Sequence, residues 1–150
     1  MALSFEHTEP TARLPRERQV VTGNPVRTSF AASAGRYMPP GRDETFRLLV
    51  LGGSQGARVL SDVVPGGVAL LSDDLRRRLA ITQQCRPEDI DRARAAYAAL
   101  GMQPELQTFF ADVPGLMEQA HLVVTRSGAS TGAELLAVGR PSLLVPYAHA

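Results

Sequence analysis

Phe46-Arg47-Leu48-Leu49-Val50-Leu51 runs directly into Gly52-Gly53-Ser54-Gln55-Gly56-Ala57-Arg58, and the reading of this junction decides the fold. The first six residues are mostly apolar and unbroken, the pattern of a strand buried on both faces of a parallel sheet. The glycines make a tight turn. Val59, Leu60, Val63 and Val64 then recur at helical spacing. Strand, glycine turn and helix aim free backbone N–H groups and the positive end of a helix dipole at an anion. Phosphate is the usual anion. The junction therefore points to a nucleotide or another phosphorylated ligand, with a plain βα turn as the alternative.

The same residues exclude two common phosphate loops. A Walker A loop needs a lysine, and the chain has none: all 16 of its basic residues are Arg. A dinucleotide fingerprint needs glycine where Leu51 stands.

Outward from the junction, strands and helices alternate. Residues 18–22 read as a short strand, Ser4-Phe5 as the end of another, and 23–27 as a turn into a short helix. Residues 35–44 carry Gly35, Pro39, Pro40 and Gly41 and read as a loop. The helix that starts near 55 is expected to break at Pro65-Gly66-Gly67. Strands follow at 79–84, 106–110, 121–125 and 142–145. Helices are expected over 88–100, 113–120 and 131–138, with Gly101 and Gly139 as stops. Such alternation predicts an α/β fold, a Rossmann-like parallel sheet with helices on both faces. Ligands of such sheets bind beyond the carboxyl ends of the strands.

A second glycine turn, Ser127-Gly128-Ala129-Ser130, stands at the end of another strand. Two helix N-termini on one sheet edge can hold a diphosphate. Glu134 lies about one turn into the second helix, where a carboxylate can accept from two vicinal hydroxyls, as on a ribose. It can equally close a capping box, because Thr131-Gly132-Ala133-Glu134 fits S/T-x-x-E.

Composition bounds the rest. The chain has 150 residues, 44% hydrophobic and 21% charged, enough for one domain with a real core. A net charge of +1 gives no reason to expect nucleic acid. Cys85 is the only cysteine, so no internal disulfide can form. It reads as a packing residue, since no partner base is apparent. No apolar run approaches the ~18 residues that would span a membrane, and residues 1–18 lack the apolar region of a signal peptide. Arg76-Arg77-Arg78 reads as a solvated helix end, or else a contact for a membrane surface. His121 reads as structural, and His7 lies in a polar tail.

The order and spacing of four motifs resemble the MurG family of bacterial peptidoglycan glycosyltransferases. They are Thr22-Gly23-Asn24-Pro25-Val26-Arg27, Leu51 to Arg58, Arg126-Ser127-Gly128-Ala129-Ser130-Thr131 with Glu134, and Gly139-Arg140-Pro141-Ser142 with Val145-Pro146-Tyr147. The resemblance implies the donor-binding C-terminal half of a two-domain GT-B enzyme. Residues 1–22 would then be the end of the N-terminal domain or a linker. Residues 23–150 would be a UDP-sugar-binding domain that stops short of the family's sugar-reading Gln segment. The implied reaction moves GlcNAc from UDP-GlcNAc to lipid-linked MurNAc-pentapeptide, with inversion, at the cytoplasmic face of the cell membrane. The acceptor would sit on the missing N-terminal domain, so this chain alone is expected to be inactive.

The resemblance also implies roles. Arg27 and Ser54 would touch the diphosphate. Ala129, Ser130, Thr131, Gly132 and Ala133 would line the donor site with backbone and hydroxyl donors. Glu134 would hold the ribose, and the main chain of Phe110 would read the uracil edge. No metal or other cofactor is implied, and no catalytic residue is assigned; His149 reads as a loop residue near the donor. Two other functions fit the residues: a non-catalytic nucleotide-binding module, and a related GT-B enzyme of the same donor such as a 2-epimerase.

Overall fold

The computed structural model describes residues 2–4, 15–53 and 58–147. A short parallel pair, β1 (Ala2–Leu3) and β2 (Val20–Val21), comes first. Arg27 then ends an extended segment and opens helix α1 (Thr28–Ala32). The main sheet contains β3 (Phe46–Leu51), β4 (Leu79–Gln84), β5 (Glu105–Gln107), β6 (Leu122–Arg126) and β7 (Ser142–Val145). All neighbours are parallel, in the spatial order β5-β4-β3-β6-β7. Numbered within this sheet, the order is 3-2-1-4-5, that of a doubly wound nucleotide-binding fold.

The intervening helices are α2 (Arg58–Ala69), α3 (Asp73–Arg78), α4 (Ile90–Ala98), α5 (Val113–Gln119) and α6 (Ala129–Val138). The alternation along β3 divides them between two faces. Leu49 and Leu51 pack with Phe30, Met117, Val123, Leu135 and Val138, under α1, α5 and α6. Leu48 and Val50 pack with Leu60, Val68, Ile81 and Tyr97, under α2 and α4. The expected α/β sheet with helices on both faces is therefore present. Because successive side chains of a strand point to opposite faces, β3 feeds both cores, which is why its sequence is apolar without alternation.

Several expected boundaries move. The helix after the first glycine turn does not break at Pro65 but runs through it to Ala69. Proline removes one helical hydrogen bond and costs about 3 kcal/mol. Burial of Leu60 and Val68, each worth about 1.5–3 kcal/mol, offsets that cost. Pro65 is itself buried. The strand expected over 106–110 is only Glu105–Gln107, and the helix expected over 88–100 is Ile90–Ala98. The strand expected over 18–22 shrinks to Val20–Val21 after a 3-10 turn at Arg16–Arg18. Gly101 and Gly139 do stop their helices, with φ of +70° and +71° in the left-handed region that glycine enters without strain.

Candidate functional site

The strand order reverses between β3 and β6, so their carboxyl ends flank the crevice where doubly wound sheets take ligands. Both glycine turns open here. The register Leu51↔Thr125 ends the two strands side by side, and Gly52-Gly53 and Ser127-Gly128 leave from the same edge. Gly53 has φ +80°, in the left-handed region that glycine enters without strain. Ser54, Gln55 and Gly56 lie outside the described residues, as do His7 and His149.

At the second turn the N-cap of α6 is Gly128, with extended backbone and no side-chain cap. Gly132 N–H donates to Gly128 C=O at 2.9 Å, which closes the first helical turn. The preceding N–H groups, of Ala129, Ser130 and Thr131, have no hydrogen-bond partner among the described residues. They are the orphan donors of an uncapped helix, at the positive end of its dipole. Gly132 and Ala133 continue the same first turns.

The helix start corrects the capping-box reading of Glu134. A box would make Thr131 the N-cap, but Thr131 is the third helical residue. Glu134 therefore faces no orphan N–H at the distance a box requires. Its carboxylate instead accepts from the Arg27 guanidinium at 3.3 Å, across 107 residues of sequence. Arg27 also stacks over the Phe30 ring at 4.7 Å and keeps 68% of its side chain exposed, against 19% for Glu134. The pair juts from a buried base into solvent, leaving most of the guanidinium free for an anion. No local pattern could have signalled this contact, because it joins the N-terminus of α1 to the second turn of α6.

Phe110 lies beyond β5 with its side chain buried in the α5–α6 core. Among the described residues no hydrogen bond engages its N–H or C=O. A fixed side chain and a free main chain suit edge recognition of a flat base. Two further features escaped the sequence reading. Arg126 stacks over Tyr147 at 4.1 Å beside the second turn. Buried Gln83 accepts from the Tyr97 hydroxyl at 2.6 Å and donates to Leu60 C=O at 3.4 Å. Burial pushes the Tyr97 phenol well above its ordinary value, so it stays a proton donor.

Other side chains weighed in the sequence are engaged elsewhere. Cys85 is buried, and that burial raises its thiol pKa, the reverse of what a nucleophile needs. His121 Nδ1 accepts from Arg47 N–H at 2.9 Å. Burial and, next, the Arg47 charge lower its pKa. Arg76 and Arg77 pair with Asp73 and Asp74 in α3, and Arg78 donates to the carbonyls of Glu44 and Gly41. Among the described residues no group of His, Cys, Asp and Glu could hold a metal ion, and no helix is long and apolar enough to cross a membrane. A polar groove of about 720 Å³, lined in part by Arg76, Arg77, Ala80 and Gln103, opens at the opposite, amino-terminal edge of the sheet.

Comparison with known proteins identifies relatives of the chain. Residues 47–150 match the glycosyltransferase family 28 C-terminal domain. A protein of Granulibacter bethesdensis named UDP-N-acetylglucosamine--N-acetylmuramyl-(pentapeptide) pyrophosphoryl-undecaprenol N-acetylglucosamine transferase is 56% identical over 148 residues, covering 97% of this chain and 38% of that protein. A protein of the same name from Zymomonas mobilis is 47% identical over 148 residues, covering 98% of the chain and 38% of the relative. The crystal structure of Acinetobacter baumannii MurG superposes with a TM-score of 0.63 at 28% identity, over 73% of this chain and 31% of that one. The chain thus spans well under half the length of the relatives it matches. The resemblance to MurG enzymes drawn from the four motifs is borne out. With its doubly wound sheet and the family match running from β3 through β7, the chain belongs to the family of glycosyltransferase family 28 C-terminal domains.

Proposed function

We propose that this chain is the donor-binding part of an N-acetylglucosaminyltransferase that moves GlcNAc from UDP-GlcNAc to an undecaprenyl-pyrophosphoryl acceptor in peptidoglycan synthesis. The observation that carries the proposal is the meeting of Arg27 and Glu134 beside the uncapped start of α6. It supplies a cation and free N–H donors for a diphosphate, and a carboxylate for vicinal hydroxyls, on one sheet edge.

In this reading Arg27, Ser54 and the N–H groups of Ala129, Ser130 and Thr131 hold the diphosphate. Gly132 and Ala133 let the donor approach the helix closely. Glu134 takes the ribose hydroxyls, and the free main chain of Phe110 reads the uracil edge. Negative charge grows on the UDP leaving group as the anomeric bond breaks. The α6 dipole and the Arg27 guanidinium stabilise that charge most when it is fully developed, as transition-state stabilisation requires. They do so without a metal. The acceptor hydroxyl attacks from the opposite side of the sugar, which inverts the anomeric centre. The acceptor's lipid sets the place of action at a membrane surface, on the cytoplasmic side where nucleotide sugars are made.

A chimera tests the proposal. The matching segment of the Granulibacter relative is replaced by this chain, and GlcNAc transfer from UDP-GlcNAc to a lipid-linked acceptor is measured. The proposal expects transfer within about tenfold of the parent enzyme. A chimera that folds and binds UDP yet transfers nothing would favour a nucleotide-binding module instead.

A further inference from the structure

Two residues at the carboxyl edge of the sheet have no part in the donor grip described so far. Arg126 ends β6, and Tyr147 follows shortly after β7. The Arg126 guanidinium stacks on the Tyr147 ring at 4.1 Å. Arg126 is half-buried, and among the described residues its side chain has neither a carboxylate partner nor any other hydrogen-bond acceptor. A guanidinium carries five N–H donors in a planar fork. Stacking on a ring fixes that plane and leaves the donors along its rim unused. A partly desolvated charge without an acceptor carries a cost that a bound anion removes.

Strand alternation places this cation. Val124 packs with Leu48 and Val50 on the side of the sheet covered by α2 and α4. Side chains two apart in a strand share a face, so Arg126 leaves β6 on that side. Its register partner Val145 packs against the same cluster. The uridine grip lies on the other side. Phe110, Phe30 under the Arg27 guanidinium, and Leu135 beside Glu134 all pack in the core under α1, α5 and α6. Ser127-Gly128 and the unpartnered N–H groups of Ala129, Ser130 and Thr131 follow Arg126 directly. The carboxyl end of the sheet thus carries one cation toward each face, with the start of α6 at the same edge. Arg27 touches Glu134, the carboxylate assigned to the ribose. It therefore serves the phosphate next to the ribose. A diphosphate that runs from there past the α6 N–H groups brings its second phosphate toward Arg126.

We propose that Arg126, braced by Tyr147, binds the distal phosphate of the donor, the one that carries the sugar, and so makes the site selective for a nucleoside diphosphate over a monophosphate. The inference rests on the donor-site reading, and its test separates the two.

The test is calorimetric affinity for UDP and for UMP, which differ by the distal phosphate alone. The parent is expected to bind UDP at least tenfold more tightly than UMP. Arg126→Ala is expected to weaken UDP at least tenfold and UMP less than twofold. Arg27→Ala, the comparison, is expected to weaken both. A residue that only tied the segment after β7 to the sheet would lower the two affinities alike, or only the melting temperature. Equal losses of UDP and UMP in Arg126→Ala therefore overturn the proposal, and so does parent-like affinity for UDP. A parent that binds UDP no more tightly than UMP overturns it as well, and leaves the donor-site reading standing. A parent that binds neither ligand removes that reading and the proposal with it. Should Arg126→Ala fail to fold, Tyr147→Leu keeps the cation and removes the ring that orients it. It is expected to weaken UDP at least threefold and UMP less than twofold, and equal effects on the two ligands would again overturn the proposal.

Discussion

Glu134→Gln, combined with removal of the ribose 2′-hydroxyl, probes the reading of the site at its most specific residue. Because Gly128 and not Thr131 caps α6, the substitution removes no cap. What the fold loses is the ion pair with Arg27, whose guanidinium is mostly exposed. Such pairs contribute about 0.2–1 kcal/mol, which for a chain of this size moves the melting temperature by about 4 °C at most. The effect on the ligand is larger. A hydroxyl donating to a carboxylate contributes about 1.5–3 kcal/mol, and to a neutral amide oxygen about 0.5–1.5. Deleting the 2′-hydroxyl should therefore cost the parent about 1 kcal/mol more than it costs the variant, or about fivefold in Kd. Titration calorimetry of UDP and 2′-deoxy-UDP on both proteins gives the four affinities. Groups in contact couple on this scale, and groups that are not in contact add. Equal losses in parent and variant would show that Glu134 does not bear on the ribose and would refute the reasoning.

Other consequences follow from the same geometry. Arg27→Ala should weaken UDP by roughly 10- to 100-fold, from the loss of a charged hydrogen bond worth about 1.5–3 kcal/mol; uridine should change less than twofold by the same calorimetry. Chelating divalent ions should leave UDP-GlcNAc affinity within about twofold of its starting value, because in the proposed site helix N–H groups and Arg27 would hold the phosphates without a metal. His121 is held neutral as an acceptor for Arg47 N–H, and its pKa is lowered from the ordinary 6.5. The unfolded chain therefore takes up the proton first. The stability His121 provides is fully present above 6.5 and is lost as pH falls through the folded value. Melting temperatures of the parent should drop over this range more steeply than those of His121→Asn, whose amide oxygen can accept the same bond without titrating.

Much of the fold was written in local pattern. β3, β4 and β7 fall at the expected residues, and in β3 the reason is that Leu48 to Leu51 are buried on alternate faces, which keeps the run apolar. The errors arise where tertiary packing overrides a local rule. Pro65 breaks helices in isolation, but here the flanking Leu60 and Val68 are already committed to the core. Phe109 and Phe110 carry strand propensity, yet the edge strand β5 ends at Gln107. The S/T-x-x-E match at Thr131 was true to its pattern and wrong in register, since Gly128 can adopt the extended cap geometry and lets α6 start at Ala129. That the two glycine motifs leave the carboxyl ends of β3 and β6 was legible because the strand-then-glycine pattern is local. The Arg27–Glu134 contact was not, because it joins elements that only the folded sheet brings together.

The central claim is that UDP-GlcNAc binds at the reversal of strand order between β3 and β6. Backbone amide chemical shifts, followed while UDP-GlcNAc is titrated into the chain, test it most directly. Saturable shifts are expected at 127–134, in the turn 52–57, at Phe110 and at Arg27. Saturable shifts confined to the groove at the amino-terminal edge, around Arg76, Ala80 and Gln103, or no saturable shift anywhere, would contradict it.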